Sequence, residues 1–547
     1  MRCATPHPAP ATLPLGGRAI AFGNSGVRSG TWAERESLAA ARHDSIGTNP
    51  PNCTGNEPES ERERALGRCK ELVSKSPIRP ALFFKCDSPA LGGGNGAGDS
   101  VVFPEMRVVH STGFYYPDST GGTEAYVSSL AGSLRSYGVG CIVAAPHASE
   151  EPARSVHEGV EVFRYPVPER WLRRELQGKE PPRRLHFFED WLRRQGADVY
   201  HQHSWTAGCG LWHLKAAKRL GLKTVVTVHV PGNLCMRGTM LYEGRAACDG
   251  KILPERSAAC WLQSKGLPAT AARGIAKLPR PLPSLQWLPR VGSALSARAL
   301  AAGRIEDLQA MSAAADRIVA VCQWLHDALR ANGVPAGKLV LNRQGVAARG
   351  PAPLSRPGRP SGVVRFGFLG RWDPVKGVHV LVEAFRRLPS DLPVTLDICA
   401  AVQGRTGEKY RDQVRRSGSG DPRIRVLPPL PHREVGAFLS GLDVLAVPSL
   451  WLETGPLVVL EAFASGVPVI GSDLGGISEL VGHGRNGLLV PHDDLNAWTA
   501  AMLRLATDRA LLERLQRGVG PVQTMVEVGR EMAALYRELK ATGRYAA

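Results

Sequence analysis

Val363-Val364-Arg365-Phe366-Gly367-Phe368-Leu369-Gly370-Arg371-Trp372-Asp373-Pro374-Val375-Lys376-Gly377 decides the fold. Its first seven residues are mostly apolar and read as a buried strand. Gly370-Arg371 ends that strand, and Lys376-Gly377 opens a helix with an apolar face over 378–388. The alternation then continues, with strands at 394–400, 424–427, 444–447 and 469–471 and helices at 408–416, 435–440 and 456–464. Strands that alternate with helices build a parallel sheet, so residues 363–520 read as a doubly wound, Rossmann-like domain. An amphipathic helix over 522–540 follows, within a terminal segment 521–547.

Upstream, Gly350-Pro351-Ala352-Pro353-Leu354-Ser355-Arg356-Pro357-Gly358-Arg359-Pro360 is linker chemistry, which places a linker at 351–362. Before it a second alternation starts at Met106. Strands are expected at 107–111, 141–145, 199–201, 224–229 and 317–321, and helices at 123–137, 211–220 and 301–315. Residues 106–350 therefore read as a first Rossmann-like domain, interrupted by an irregular Cys-containing insert at 231–300. Residues 1–105 are rich in Pro, Gly, Ser and Arg and carry the run Gly92-Gly93-Gly94-Asn95-Gly96-Ala97-Gly98. They are expected to be a largely disordered extension, apart from a short helix over 60–74 with Ser60 and Glu63 at capping-box spacing. The ordered pattern begins at Met106, which is the expected natural start. The fold class is thus α/β: two parallel-sheet domains facing a cleft.

The net charge of +18 comes from arginine dispersed along the chain and not from a basic block. That pattern suits a basic surface and peripheral contact with an anionic membrane, and with no recognisable binding module it excludes nucleic acid as the expected partner. No apolar run approaches the roughly 18 residues of a spanning helix, and the N-terminus lacks the apolar core of a signal peptide. The 11 cysteines are scattered, which fits reduced thiols in the cytoplasm. The chain is expected there, or peripherally at the inner face of the membrane.

Ligands of open α/β sheets sit at the carboxyl ends of strands, and three segments there carry chemistry. Arg371 and Lys376 flank the loop after the first strand of the second domain, where two cations and a helix N-terminus suit an anion. The second segment is Pro448-Ser449-Leu450-Trp451-Leu452-Glu453-Thr454-Gly455-Pro456-Leu457-Val458-Val459-Leu460-Glu461-Ala462. Pro456 suits the first helical position. The amides of Leu457 and Val458 then point at an anion, while Glu453 and Glu461 offer acceptors to sugar hydroxyls. The third segment is Gly121-Gly122-Thr123-Glu124, whose glycines let the backbone approach a ligand. Without a G-x-G-x-x-G pattern it argues against an NAD-type dehydrogenase. His201, His203 and His229 fall at strand ends of the first domain. Cys235, Cys248 and Cys260 cluster in the insert, with Gln263 three residues beyond the last. A structural metal usually takes four ligands, so three thiols read as free, and no metal is expected.

The motifs G-F-L-G-R-W-D-P-V-K-G, P-S-L-W-L-E-T-G-P-L-V-V-L-E-A-F-A-S-G-V-P-V-I and D-L-G-G-I-S-E-L-V…N-G-L-L-V-P together resemble the donor domain of glycosyltransferase family 4, of the GT-B fold. M-R-V-V-H-S-T-G-F-Y-Y-P-D-S-T-G-G-T-E resembles the start of its acceptor domain. The resemblance covers residues 106–540. It implies retaining transfer from a UDP-, GDP- or similar nucleotide sugar to a glycan, lipid-linked or small-molecule acceptor, in polysaccharide or glycoconjugate biosynthesis, without a cofactor or catalytic metal. It assigns Arg371 and Lys376 to the donor diphosphate, Glu461 to the ribose and Glu453 to the transferred sugar. Gly121 and Gly122 would lie near the diphosphate, with Gly455, Leu457 and Val458 on the donor side. His229 would touch the sugar near the reacting carbon, while Glu124 and His203 would shape the acceptor side. Two departures stand out: Gln263 replaces a fourth Cys of many relatives, and Gln344-Gly345 replaces the family's common Asn-Gly. A sugar-nucleotide epimerase, a phosphorylase and a non-catalytic GT-B subunit remain open on the sequence.

Overall fold

The computed structural model describes residues 105–119, 121–278, 289–347 and 362–542. The expected extension, its 60–74 helix, and the linker up to 361 lie outside the described residues.

The first sheet contains β1 (Met106–Ser111), β2 (Val139–His147), β3 (Ala153–His157), β4 (Val160–Pro166), β5 (Val199–Gln202) and β6 (Lys223–Val228). The insert adds the short antiparallel pair β7 (Leu241–Tyr242) and β8 (Ala246–Ala247), and β9 (Arg317–Ala320) and β10 (Leu339–Leu341) complete the sheet. Its order is β10-β9-β6-β5-β1-β2-β4-β3, with only β3 running antiparallel. The 153–166 hairpin was not expected from the sequence. The insert is also more regular than expected, with helices at Pro254–Ser264, Ala269–Ala276 and Pro289–Leu295.

The second sheet contains β11 (Val364–Arg371), β12 (Val394–Ala401), β13 (Ile424–Leu427), β14 (Val444–Val447), β15 (Val469–Ser472) and β16 (Gly487–Val490). It is wholly parallel, in the order β13-β12-β11-β14-β15-β16. The chain reverses direction of addition between β11 and β14, the place where open α/β sheets hold ligands.

Apolar side chains recur at helical spacing where the sheets need cover. In the helix Val378–Arg386, Val378, Leu381, Val382 and Phe385 follow i, i+3, i+4, i+7 and are fully buried. Each such side chain contributes about 1.5–3 kcal/mol by leaving water. Gly377 caps this helix at φ 70, and a Cβ there would collide with the Pro448 carbonyl. The turn before Gly377 packs directly on the loop after β14, where Leu450 N donates to Val375 O at 2.7 Å, so the two loops are one unit.

The final helix, Met525–Thr542, leaves the second domain and covers the first. Met525, Val528, Met532, Ala533, Tyr536 and Leu539 join Val108, Tyr126 and Leu130 in one buried cluster. Lys540 pairs with Asp198 at 2.8 Å, and Arg317 with Glu538 at 2.6 Å. The chain thus returns to the first domain after completing the second.

Candidate active site

On the second domain, Lys376 and Glu453 meet although 77 residues separate them: Lys376 Nζ lies 2.7 Å from Glu453 Oε1. Ser449 Oγ donates to the same oxygen at 2.7 Å. Glu453 is 5% exposed. Burial opposes its ionisation, but the charge of Lys376 and the bonds from Lys376 and Ser449 outweigh burial and hold the carboxyl below its usual range. Lys376 also sits 5.3 Å from the centre of the Trp451 ring. Arg371 Nη1 donates to Gln403 Oε1 at 2.7 Å.

The helix Leu457–Ala464 starts one residue later than expected, with Pro456 as its cap in place of its first residue. Among the described residues the Leu457 and Val458 amides have no acceptor, as at any helix N-terminus; the first bond of the turn is Val459 N to Pro456 O at 3.0 Å. Glu461, one turn on, lies 3.3 Å from His432 Nε2. The cleft over this helix is closed by the Gly121–Gly122 loop of the first domain: a Cβ on Gly122 would stand 3.8 Å from Leu457 Cδ1. Glu124 does not face outward from this loop. It is 6% exposed and accepts from Ser119 Oγ at 2.7 Å, bracing the turn it follows.

Opposite these charges the first domain presents a chain of histidines. β1, β5 and β6 are neighbours, so residues at their carboxyl ends stack. His110 Nδ1 lies 3.0 Å from His203 Nε2, and His203 Nδ1 lies 3.2 Å from His229 Nε2. Gln344 Nε2 lies 3.4 Å from His229 Nδ1. A neutral imidazole has one donor and one acceptor nitrogen. With the Gln344 amide donating to Nδ1, His229 donates to His203, His203 donates to His110, and the Nε2 hydrogen of His110 has no partner. Burial keeps these rings uncharged, holding His110 and His229 at about 3. His201 lies beside them, bonded to Tyr536 Oη at 2.6 Å and Thr227 Oγ1 at 2.7 Å.

His110, His201 and His203 have ligand atoms within 4.8 Å of one another, the one such group among the described residues. Every nitrogen of the three but His110 Nε2 is engaged, by a neighbouring histidine or a hydroxyl group, so we read a hydrogen-bonded chain. Cys235, Cys248 and Cys260 belong to no such group. They are free thiols; Cys260 Sγ accepts from Glu243 N at 3.2 Å, and Gln263 Nε2 donates to Glu243 Oε1 at 3.1 Å.

Two family models match in succession, a glycosyl transferase 4-like domain over residues 121–345 and glycosyl transferases group 1 over residues 364–508. The chain belongs to the family 4 glycosyltransferases. Over 157 residues it is 34% identical to a D-inositol 3-phosphate glycosyltransferase of Corynebacterium urealyticum, covering 28% of this chain and 37% of the relative. The match therefore spans little more than a third of that relative's length. Sucrose-phosphate synthase from Thermosynechococcus elongatus superposes with a TM-score of 0.56 at 19% identity, covering 80% of this chain and all of that one. Anabaena Alr3699/HepE, solved with UDP and glucose, gives a TM-score of 0.52 at 15% identity over 79% of this chain. These likenesses show the fold, which is GT-B.

Within the family 4 frame, the structure gathers Lys376, Glu453, Gly455, Leu457 and Glu461 on one wall, with Gly122 and His229 opposite. Two residues stand differently from the expectation. His203 is 2% exposed, with both nitrogens spent on other histidines. It reaches the cleft only through His229 and presents no surface to an acceptor. His229 is 7% exposed; its ring nitrogens face His203 and Gln344, and its carbonyl accepts from Thr454 Oγ1 across the domain gap. Only the long Gln344 contact is weak enough for a ligand to replace it readily. Sequence reasoning missed Ser449, Gln403, His432 and Tyr116. All four lie in the segments that follow strand carboxyl ends, after β14, β12, β13 and β1, the one signal that pointed there. Tyr116 follows β1, and burial together with Glu124, Glu158 and, more weakly, Glu461 of the other domain pushes its phenol up to about 12.

Among the described residues no helix is long and apolar enough to cross a membrane.

Proposed function

We propose that this chain transfers a sugar, with retention of anomeric configuration, from a nucleoside diphosphate donor to a hydroxyl of its acceptor. The observation that carries the reading is the buried Lys376–Glu453 pair beside the two free amides of Leu457 and Val458, under the Gly121–Gly122 loop. As the bond to the sugar breaks, negative charge collects on the diphosphate. Lys376, Arg371 and the helix amides stabilise that charge, and such preorganised electrostatics is usually the largest catalytic contribution. The phosphate takes over Lys376 from Glu453, and Glu453, kept ionised, accepts from a sugar hydroxyl. Glu461 accepts from the ribose. The two glutamates do not act as the acid and nucleophile of a hydrolase; one is tied to Lys376 and the other faces His432. A donor phosphate oxygen takes the acceptor proton.

UDP or GDP is the donor nucleotide, and UDP is favoured because a fold neighbour binds UDP with glucose. The curated relative named for D-inositol 3-phosphate supports a small polyhydroxylated acceptor; a glycan or a lipid-linked sugar offers the same hydroxyl chemistry. A basic chain of net charge +18 suits an anionic acceptor or peripheral contact with an anionic membrane. The test is a melting-temperature panel of UDP, GDP, ADP and their sugars, since a bound donor stabilises by RT ln(1 + [L]/Kd). One selective rise is expected, followed by product NMR showing the donor's anomeric configuration retained. An inverted product refutes retention, and a flat panel refutes the donor site.

A further inference from the structure

The stretch Asp473-Leu474-Gly475-Gly476-Ile477-Ser478-Glu479-Leu480-Val481 carries part of the family resemblance, and the sequence alone assigns none of its residues a role. Its Glu479 reaches into the other domain. The first-domain helix Gln323–Ala331 begins after Cys322, which makes no side-chain capping bond. The first amides of a helix have no partner within it, and here the second domain supplies one. Glu479 Oε2 accepts from Gln323 N at 2.9 Å, and Oε1 accepts from Trp324 N at 2.8 Å. Arg343 Nη1 donates to Oε2 at 2.6 Å. A carboxylate there gains from the helix dipole and from charge-assisted bonds, and at 17% side-chain exposure it is largely shielded from solvent.

The captured helix in turn touches the donor loop. Trp324 Nε1 donates to the Glu453 carbonyl at 2.9 Å. Gly476 N, from the same stretch as Glu479, donates to that carbonyl at 2.6 Å. A Cβ at Gly476 would stand 2.8 Å from that oxygen, so this close approach requires glycine. The backbone of Glu453 is thus held from both domains at once, and one side chain ties those two holds together.

We propose that Glu479 is an inter-domain latch, a positioning residue that caps a first-domain helix with a second-domain carboxylate and so keeps Trp324 against the backbone of Glu453. Its effect on turnover rests on the glycosyl-transfer reading; the latch itself does not. Aligning the two walls of the cleft is what lets bound groups react, and small misplacements are costly.

Two variants test it in the full chain. Glu479→Ala removes the latch. Gln323→Pro removes one of the two latched amides and leaves the helix able to form, because proline is accepted at a first helical position. Cys322 is already extended, at φ −154 and ψ 162, as the residue before proline requires. Gln323→Ala controls for the lost Gln323–Asp327 side-chain bond, and circular dichroism checks helix content. Small-angle scattering without ligand is expected to show a larger radius of gyration and a broader distance distribution for Glu479→Ala and Gln323→Pro than for wild type and Gln323→Ala. Curves indistinguishable from wild type for both overturn the latch. With UDP-glucose, turnover is expected to fall about 10-fold in the two variants, while calorimetric affinity for UDP stays within about 2-fold because no donor-side group is altered. Opened domains with unchanged turnover overturn the positioning role. A wild type inert toward UDP-glucose counts against the UDP-donor reading, and scattering still decides the latch.

Discussion

The two walls of the cleft both bury polar groups, and they do so in opposite ways. The first domain uses neutral rings: His110, His203 and His229 pass hydrogen bonds along the ends of three adjacent strands, and burial keeps them uncharged. The second domain buries an ion pair, Lys376 with Glu453. A neutral chain fixes orientation and is indifferent to an arriving anion. A buried charge pair holds its partners only until a better one arrives, which suits a site that must exchange a carboxylate for a diphosphate. In the proposed reading, charge is concentrated on the wall that takes the diphosphate, and fixed orientation on the wall opposite.

The sharpest break of this comparison is on the charged wall. Lys376→Ala is expected to lower turnover by about 10²-fold or more, as loss of one oxyanion donor does. Unfolding in urea should show Lys376→Met destabilised by about 3–5 kcal/mol, because it strands Glu453 at 5% exposure. The double variant Lys376→Met with Glu453→Gln should regain most of that stability and none of the turnover. A double variant no more stable than the single would show that the pair is not coupled as described.

Gly377→Ala comes next. It forces alanine to φ 70 and a Cβ into the Pro448 carbonyl, and a loss of more than about 1 kcal/mol in the urea midpoint is expected. A neutral Gly377→Ala would mean that the loop before the helix adapts freely.

Acid separates the two walls. His110 and His229 are held at about 3, below the roughly 6.5 of an unfolded histidine. Between those values the unfolded chain binds protons that the fold refuses, so stability falls as pH falls from about 6.5 toward 3. Glu453 is depressed from an already low value, so the stability it contributes is present above about 4 and is lost only as pH falls below that. His110→Leu should therefore reduce the slope of stability between pH 5 and 6 by up to about 1.4 kcal/mol per pH unit, while Glu453→Gln leaves that slope unchanged. Equal slopes in wild type and His110→Leu would remove the neutral chain.

The smallest effect is expected at the junction of the walls. Gln344→Leu loses one 3.4 Å contact to His229 and also removes a buried carbonyl oxygen without a partner, so stability should move by less than about 1 kcal/mol. Its value lies in the tautomer: nitrogen NMR should show His229 protonated at Nε2 in wild type and a mixture of tautomers in the variant.

The first five strands of the second domain and the helices between them were legible because each apolar run is short, bounded and followed by a helix of the right spacing, whereas β16 and the helices Gly475–Leu480, Leu495–Thr507 and Arg509–Arg517 were not read. The 153–166 hairpin was not, since Ala153–His157 is mostly exposed and has no apolar face to alternate. The insert hid its helices behind glycine and proline at their ends. The final helix could be read as amphipathic, but its partner could not, because Tyr536 finds His201 across 335 residues. Candidate residues were legible one strand end at a time. Their pairings were not: the histidine chain needs the order β6-β5-β1, and the Lys376–Glu453 bond needs β11 beside β14. Glu479 sat inside a recognisable motif, yet two of its three partners are backbone amides, which leave no trace in side-chain identity.

The most direct test of the charged wall is calorimetric titration of wild type and Lys376→Met with UDP and with GDP. The account expects wild type to bind at least one of them, and Lys376→Met to bind it about 10-fold or more weakly, the worth of one charge-assisted contact to a phosphate. Equal affinity in the two proteins, or no binding of either nucleotide by wild type, would contradict it.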